Sequence, residues 1–237
     1  MKWLIASDIH GSEFYCSRLI GAYRKEKAER LLLLGDLLYH GPRNDLPEGY
    51  APKKVTEMLN SLKNEILCVR GNCEAEVDQM VLEFPVMADY ALIPFGKRVI
   101  FATHGHIFNK DRLPALKPGD ILLYGHTHVT LLMTVGLPGS VPGDTDSEGI
   151  ICMNPGSVSI PKESSAHGYM IFMTGEDMPQ DRDMANEPDI LQDRNMSSDG
   201  EKDCEPLIGP HEGLFLWKNL DGTVYDRYIV QDLREVN

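Results

Sequence analysis

The sequence predicts an α/β sandwich in which two mixed sheets pack face to face with helices outside. Three observations predict it. The chain opens with short apolar runs separated by helical stripes, in βαβαβ order. From Val99 onward apolar runs follow one another through short connections that contain Gly and Pro. Near the end, Leu214 to Trp217 and Val224 to Val230 flank Leu220-Asp221-Gly222, and Asp-Gly between two apolar runs signals a hairpin.

Taken in order, Leu4-Ile5-Ala6 is the first strand. Cys16, Leu19, Ile20 and Tyr23 follow at i, i+3, i+4 and i+7, the spacing of one helix face. Leu31 to Leu34 is a second strand, stopped by Gly35. Val55, Met58, Leu59 and Leu62 repeat the helical spacing, and Ile66 to Val69 is a third strand before Gly71. Val99 to Ala102, Ile121 to Tyr124, Thr130 to Val135 and Ile150 to Met153 read as further strands. Runs this apolar belong to a sheet buried on both faces.

The chain has 237 residues, 42% hydrophobic and 25% charged, which suits one large domain over 1–237 and excludes a disordered, collagenous or coiled-coil chain. No stretch approaches eighteen consecutive apolar residues, so no membrane-spanning helix is expected. The apolar run at the N-terminus is too short for a signal peptide, and the expected location is the cytoplasm. The net charge of −13 argues against nucleic acid or an anionic membrane as a partner, and no basic patch offsets it. Five cysteines without a CxxC pair fit neither a disulfide framework nor a zinc finger. Self-association is compatible with the sequence. Residues 176–205 hold eleven acids against Arg182, Arg194 and Lys202. They read as an acidic, solvated, flexible insertion, at about 174–210, between two strands of the last sheet.

Polar motifs follow the strands: Asp8-Ile9-His10-Gly11, Gly35-Asp36, Gly71-Asn72-Cys73-Glu74, Thr103-His104-Gly105-His106 and Gly125-His126-Thr127-His128. Taken singly, Asp-x-His-Gly or Gly-Asp is an ordinary turn, and Gly-Asn-x-Glu an ordinary helix start. Five such motifs in one chain, all at the carboxyl ends of strands where α/β sheets bind ligands, point to a metal site. In extended chain, residues i and i+2 point the same way, so Asp8 with His10, and His126 with His128, are expected to act as pincers. Two carboxylates, one amide and four imidazoles suit Mn2+, Fe2+ or Zn2+. They are too many for one tetrahedral ion and right for two that share a carboxylate.

The order of these motifs resembles the calcineurin-like metallophosphoesterase superfamily, and more closely its YfcE-type bacterial phosphodiesterases. Ser7 to Gly11, His40-Gly41-Pro42-Arg43-Asn44, Val69 to Glu74 and Asn154-Pro155-Gly156-Ser157 carry the likeness, over roughly residues 1–162 and again in the terminal hairpin. The acidic segment and the Gly/Pro-rich loop at 136–149 depart from it. The resemblance implies a four-layer α/β/β/α sandwich and a dinuclear site, with Mn2+ expected and Zn2+, Fe2+ or Ni2+ compatible. One ion would rest on Asp8, His10, Asp36 and His128, the other on Asp36, Asn72, His104 and His126.

The implied chemistry is hydrolysis of small phosphodiesters by a hydroxide that bridges the ions. Asn72 and His104, with Cys73 and His106 beside them, are the catalytic candidates. His40, Arg43 and Asn44 sit in a loop suited to a substrate rim. Many superfamily members carry His where Cys73 stands. A thiol is a poor proton donor to a leaving group, so His106 or His40 would supply the proton, or the best substrates have good leaving groups. Glu74 reads either as a residue that orients a ligating imidazole or as a helix cap, and His167 as a surface residue. The alternatives are a phosphomonoesterase or protein phosphatase, and a non-catalytic scaffold of the same fold. The retention of all seven ligand types argues against the scaffold.

Overall fold

The computed structural model describes residues 1–136, 149–175 and 213–230. A six-stranded sheet and a five-stranded sheet stack face to face. The first has the order β11-β10-β9-β1-β2-β3. Its strands are β1 (Lys2–Ala6), β2 (Arg30–Leu33), β3 (Ile66–Cys68), β9 (Gly168–Thr174), β10 (Gly213–Asn219) and β11 (Val224–Val230). The second has the order β4-β5-β6-β8-β7, built from β4 (Tyr90–Phe95), β5 (Arg98–Thr103), β6 (Ile121–Leu123), β7 (Thr130–Val135) and β8 (Ile150–Pro155). β1, β2 and β3 run parallel, as do β5, β6 and β8. Both sheets are mixed, because β9 pairs antiparallel with β1, and β4 and β7 close the second sheet antiparallel.

Strand alternation sorts the apolar runs onto two faces. Leu4, Ala6, Leu31 and Leu33 face the helices α1 (Glu13–Glu26) and α2 (Pro52–Asn60), where Cys16, Leu19, Ile20, Tyr23, Val55 and Leu59 meet them. Ile5, Leu32 and Leu34 face the other sheet and pack with Ile100, Ile121, Leu123, Met153, Phe172, Phe215 and Trp217. The outer face of the second sheet, with Phe101, Leu122 and Tyr124, is covered by Phe108, Leu113 and Leu116 of the connection 105–120, which holds no helix.

The helix ends follow local chemistry. The Ser12 hydroxyl accepts the Tyr15 amide at 3.2 Å and starts α1, and Lys27 ends it in the left-handed region at φ 53°. Pro52 opens α2 without losing a needed donor. The short α3 (Glu76–Val81) starts where Asp78 accepts the Ala75 amide at 2.7 Å.

Two strands exceed the sequence reading. β4 carries Pro94, which breaks a strand pattern in sequence but is tolerated because β4 is an edge pairing only with β5. β9 is an apolar run between Gly168 and Gly175, buried from Gly168 to Met173. The expected acidic insertion at 176–205 and most of the Gly/Pro-rich loop at 136–149 lie outside the described residues. The strands on either side of the former, β9 and β10, pair directly with Thr174 opposite Gly213, and Thr174 donates its amide to Met1 O at 2.9 Å. His167, read as a surface residue, is instead half-buried: its ring stacks on Tyr15 at 4.1 Å and its Nδ1 lies 2.9 Å from Val158 O.

Phe172 sits at the centre of the inter-sheet core, stacked on Phe215 at 4.5 Å and edge-on to Phe95 at 5.3 Å. Phe172→Ala is expected to lower unfolding free energy by about 3–5 kcal/mol, read as a shift in the urea midpoint.

Candidate metal centre

The loops that leave β1, β2 and β3 in one sheet, and β5 and β6 in the other, meet at one place. Five of their polar residues take left-handed backbone: Asp8 (φ 60°), His10 (49°), Asp36 (55°), His126 (66°) and His128 (62°). The extended backbone expected at these positions is therefore corrected, although Asp8 and His10 still converge. Each of these turns is strained, at about 1–2 kcal/mol per residue. Backbone bonds hold the strain, with Asp8 N to Gly35 O at 3.1 Å, His10 N to Asp36 O at 2.9 Å and Gly11 N to Leu37 O at 2.8 Å. The hydroxyls of Ser157 and Ser159 both donate to Asp8 O, at 2.9 and 3.0 Å. The turns also press together: a Cβ on Gly35 would strike Gly71 N, and one on Gly125 would strike Ser7 Oγ.

The donors fall into groups that meet at Asp36. Asp8, His10 and His128 converge, with His128 Nε2 at 3.3 Å and His10 Nε2 at 3.5 Å from Asp8 Oδ1. Asp36, His104 and His126 converge beside them. Asp36 Oδ2 lies 3.7 Å from His10 Nε2 and 3.4 Å from His104 Nε2, so it stands between the groups. Asn72 Oδ1 lies 3.1 Å from His104 Nε2. His126 and His128, one expected pincer, thus serve different groups.

The donor chemistry fits cations. His10, His104 and His128 each set Nδ1 against a backbone carbonyl, of Tyr39, Leu34 and Ile160, at 2.8, 2.7 and 2.7 Å. A carbonyl only accepts, so Nδ1 carries the proton and each neutral ring turns its Nε2 lone pair inward. His10 Nε2 is 3.2 Å from His128 Nε2, where lone pair meets lone pair, and His104 Nε2 is 3.2 Å from His126 Nδ1. Asp8 Oδ1 is buried without a hydrogen-bond partner. Acceptors packed this way call for positive charge between them. Protons answer in part. Burial pulls His104 down, but the Asp36 hydrogen bond and the charges of Asp8 and Asp36 outweigh it and raise the group to about 9. His126, buried beside His104, is pushed down to about 4. Asp8 and Asp36 are held below the usual carboxylate range, because their imidazole neighbours outweigh the cost of burial.

Glu74 neither touches an imidazole nor caps a helix. Its Oε2 accepts the amides of Asp36 at 2.9 Å and Gly71 at 2.5 Å, and its Oε1 accepts Leu37 at 2.7 Å. It pins the loop after β3 to the loop after β2. Asn154 does the same across the second sheet, donating to Gly125 O at 2.8 Å and Thr127 Oγ1 at 3.1 Å while its carbonyl accepts Trp217 Nε1 at 2.8 Å. The signal for both was present, since each sits in a motif of polar residues at a strand end.

Above the cluster opens a polar cleft of about 330 Å3, lined by Asp36, Arg43, Asn44, Asn72, Cys73, His126, His128 and Lys162 among others. Arg43 and Asn44, expected at a substrate rim, line this cleft, and Asn44 Nδ2 donates to His40 O at 2.9 Å. Lys162 was missed, for it lies beyond any metal motif. His40 does not line the cleft and packs between Tyr39 and Tyr50 at 4.7 and 5.3 Å. His106 is exposed beside it, its ring 5.4 Å from His104 and 6.2 Å from His126. Cys73 donates its amide to Asp36 Oδ1 at 2.9 Å and its thiol to Asp36 Oδ2 at 3.3 Å. Burial and the Asp36 charge push that thiol far up, so it stays protonated.

Comparison with known proteins supplies the context. A family model described as the calcineurin-like phosphoesterase superfamily domain matches residues 1–177. Phosphodiesterase YfcE of Escherichia coli is 46% identical over 169 residues, which are 71% of this chain and 85% of that one. A probable metallophosphoesterase of Bacillus subtilis, YsnB, is 26% identical over 208 residues, 82% of this chain and 98% of its own. Among solved structures, Escherichia coli YfcE, described as a phosphoesterase, superposes with a TM-score of 0.73 at 34% identity, over 98% of this chain and all of that one.

Two outcomes follow from the geometry. Glu74→Ala strands three amides and is expected to lower metal affinity about 10–100-fold, read as metal retained per chain after dialysis. The raised His104 stabilises the metal-free fold below its ordinary 6.5, and that contribution is lost as pH rises through about 9. Cations compete for the same lone pair. Mn2+ affinity measured by titration calorimetry should therefore climb with pH up to about 9.

Proposed function

The chain belongs to the calcineurin-like phosphoesterase superfamily, and from that premise we propose that it cleaves small phosphodiesters at a centre that holds two divalent ions. It is a metal-dependent phosphodiesterase, in keeping with its near relative. The observation that carries the two-ion reading is the place of Asp36, whose Oδ2 faces an imidazole of each donor group. One ion would be held by Asp8, His10, Asp36 and His128, and the second by Asp36, Asn72, His104 and His126. Mn2+ is the expected ion. When bound, the pair supplies an acidified water and Lewis-acid charge on the phosphoryl oxygens.

The side chains do the rest. Lys162 and Arg43 bring the cleft's cationic side chains to a substrate that is an anion. Asn72 points its Oδ1 inward, and its Nδ2, 3.3 Å from Cys73 Sγ, is a donor that a phosphoryl oxygen in the cleft can meet. The protonated thiol of Cys73 serves Asp36 and holds that carboxylate in register. Among the described residues, no side chain that lines the cleft is a ready acid for the departing oxygen. His106, kept below its ordinary range by partial desolvation and by His104, waits at the rim as a neutral ring. Substrates with good leaving groups fit best.

No helix among the described residues is long and apolar enough to cross a membrane. The charge of −13 disfavours nucleic acid as a substrate, in keeping with small phosphodiesters.

Turnover of bis(p-nitrophenyl) phosphate by the full chain is expected to require Mn2+, to stop with chelator and to exceed that of p-nitrophenyl phosphate. The opposite preference would favour a phosphomonoesterase. Lys162→Ala should raise KM about tenfold with a smaller change in kcat. Cys73→Ser should keep activity within about tenfold of the wild type, and near-complete loss would make the thiol a catalytic group.

A further inference from the structure

A second cleft opens against the metal centre. It measures about 650 Å3 and lies beside α2 and α3, with Leu38, Tyr39, Tyr50, Thr56, Val77 and Val81 in its walls. It joins the polar cleft at Cys73, which lines both. α3 contributes no buried residue, and Val77 and Val81 remain 60% and 46% exposed. An apolar helix face turned to an open cleft, not to the core, is a surface with a ligand to meet.

The lining selects among ligands. Its one cation, Lys53, stands with Glu57 and Asp78, so the cleft does not suit a second phosphate. A diester has one more ester group than a monoester, and that group must lie beside phosphorus. Phosphorus held over Asp36 and Asn72 is adjacent to Cys73, where the apolar walls begin. The departing oxygen gains negative charge and favours the wet side with Lys162 and Arg43; apolar surroundings would oppose it. The oxygen of the retained group gains none.

We propose that this apolar cleft seats the ester group that stays on phosphorus, and that it selects diesters whose retained group is aromatic or otherwise apolar. This deepens the phosphodiesterase reading and rests on it.

Two diesters with one leaving group test it: phenyl p-nitrophenyl phosphate and methyl p-nitrophenyl phosphate, each with the Mn2+-loaded full chain. The wild type is expected to favour the phenyl ester about tenfold in kcat/KM, mainly through KM. In the double variant Val77→Ser, Val81→Ser, both at exposed positions, that ratio should fall about fivefold. Val77→Ile with Val81→Ile should restore it. A ratio near one in the wild type, an unmoved ratio in the serine variant, or equal losses on both esters would overturn the assignment; equal losses would place the departing ring in the cleft instead. Inactivity of the loaded wild type on both esters would overturn the hydrolase reading and the cleft assignment together.

Discussion

The structure depends on a concentration of lone pairs. Three backbone carbonyls fix the Nδ1 protons of His10, His104 and His128, so the opposite nitrogens face one another and two buried carboxylates. Such an arrangement repels itself unless positive charge enters. The surrounding fold holds it open: two glycines meet back to back, Glu74 gathers three amides, and Ser157 and Ser159 grip one carbonyl. Affinity for cations is thus stored in the fold before any cation binds, which is how preorganised sites avoid reorganisation during reaction.

Stacking two sheets serves that end. Neither sheet alone carries the set. Asp8, His10, Asp36 and Asn72 come from the ends of β1, β2 and β3, whereas His104, His126 and His128 come from β5 and β6. The core around Phe172, Phe215 and Trp217 sets the distance between the sheets, and Trp217 also donates directly to Asn154. Packing far from the donor cluster therefore governs how closely the two halves of the site approach.

Much of this was legible in sequence. Strands buried on both faces declare themselves as apolar runs, and helical stripes marked α1 and α2. The clustered Asp, Asn and His side chains were legible because they follow strand ends in short motifs that also hold glycine. Three things were not. Pro94 disguised β4, since edge position is a property of the sheet and not of the segment. The work of Glu74 depends on amides from loops distant in sequence. Lys162 reaches the cleft from a stretch with no metal motif, held there by its backbone amide, which donates to His128 O at 2.9 Å. The left-handed backbone was hinted at by Asp and His, which tolerate it better than most residues, but the turn geometry came only with the fold.

The pairing of Thr174 with Gly213, beside Met1, has a consequence for how this molecule can diversify. Asp8 and His10 follow β1 at one pole, past Ala6, and the connection from β9 to β10 departs from the other. Closure entropy grows only slowly with loop length. Extra chain, and the acidity it carries, can thus be grafted or trimmed at the pole remote from the chemistry while the strands keep their register.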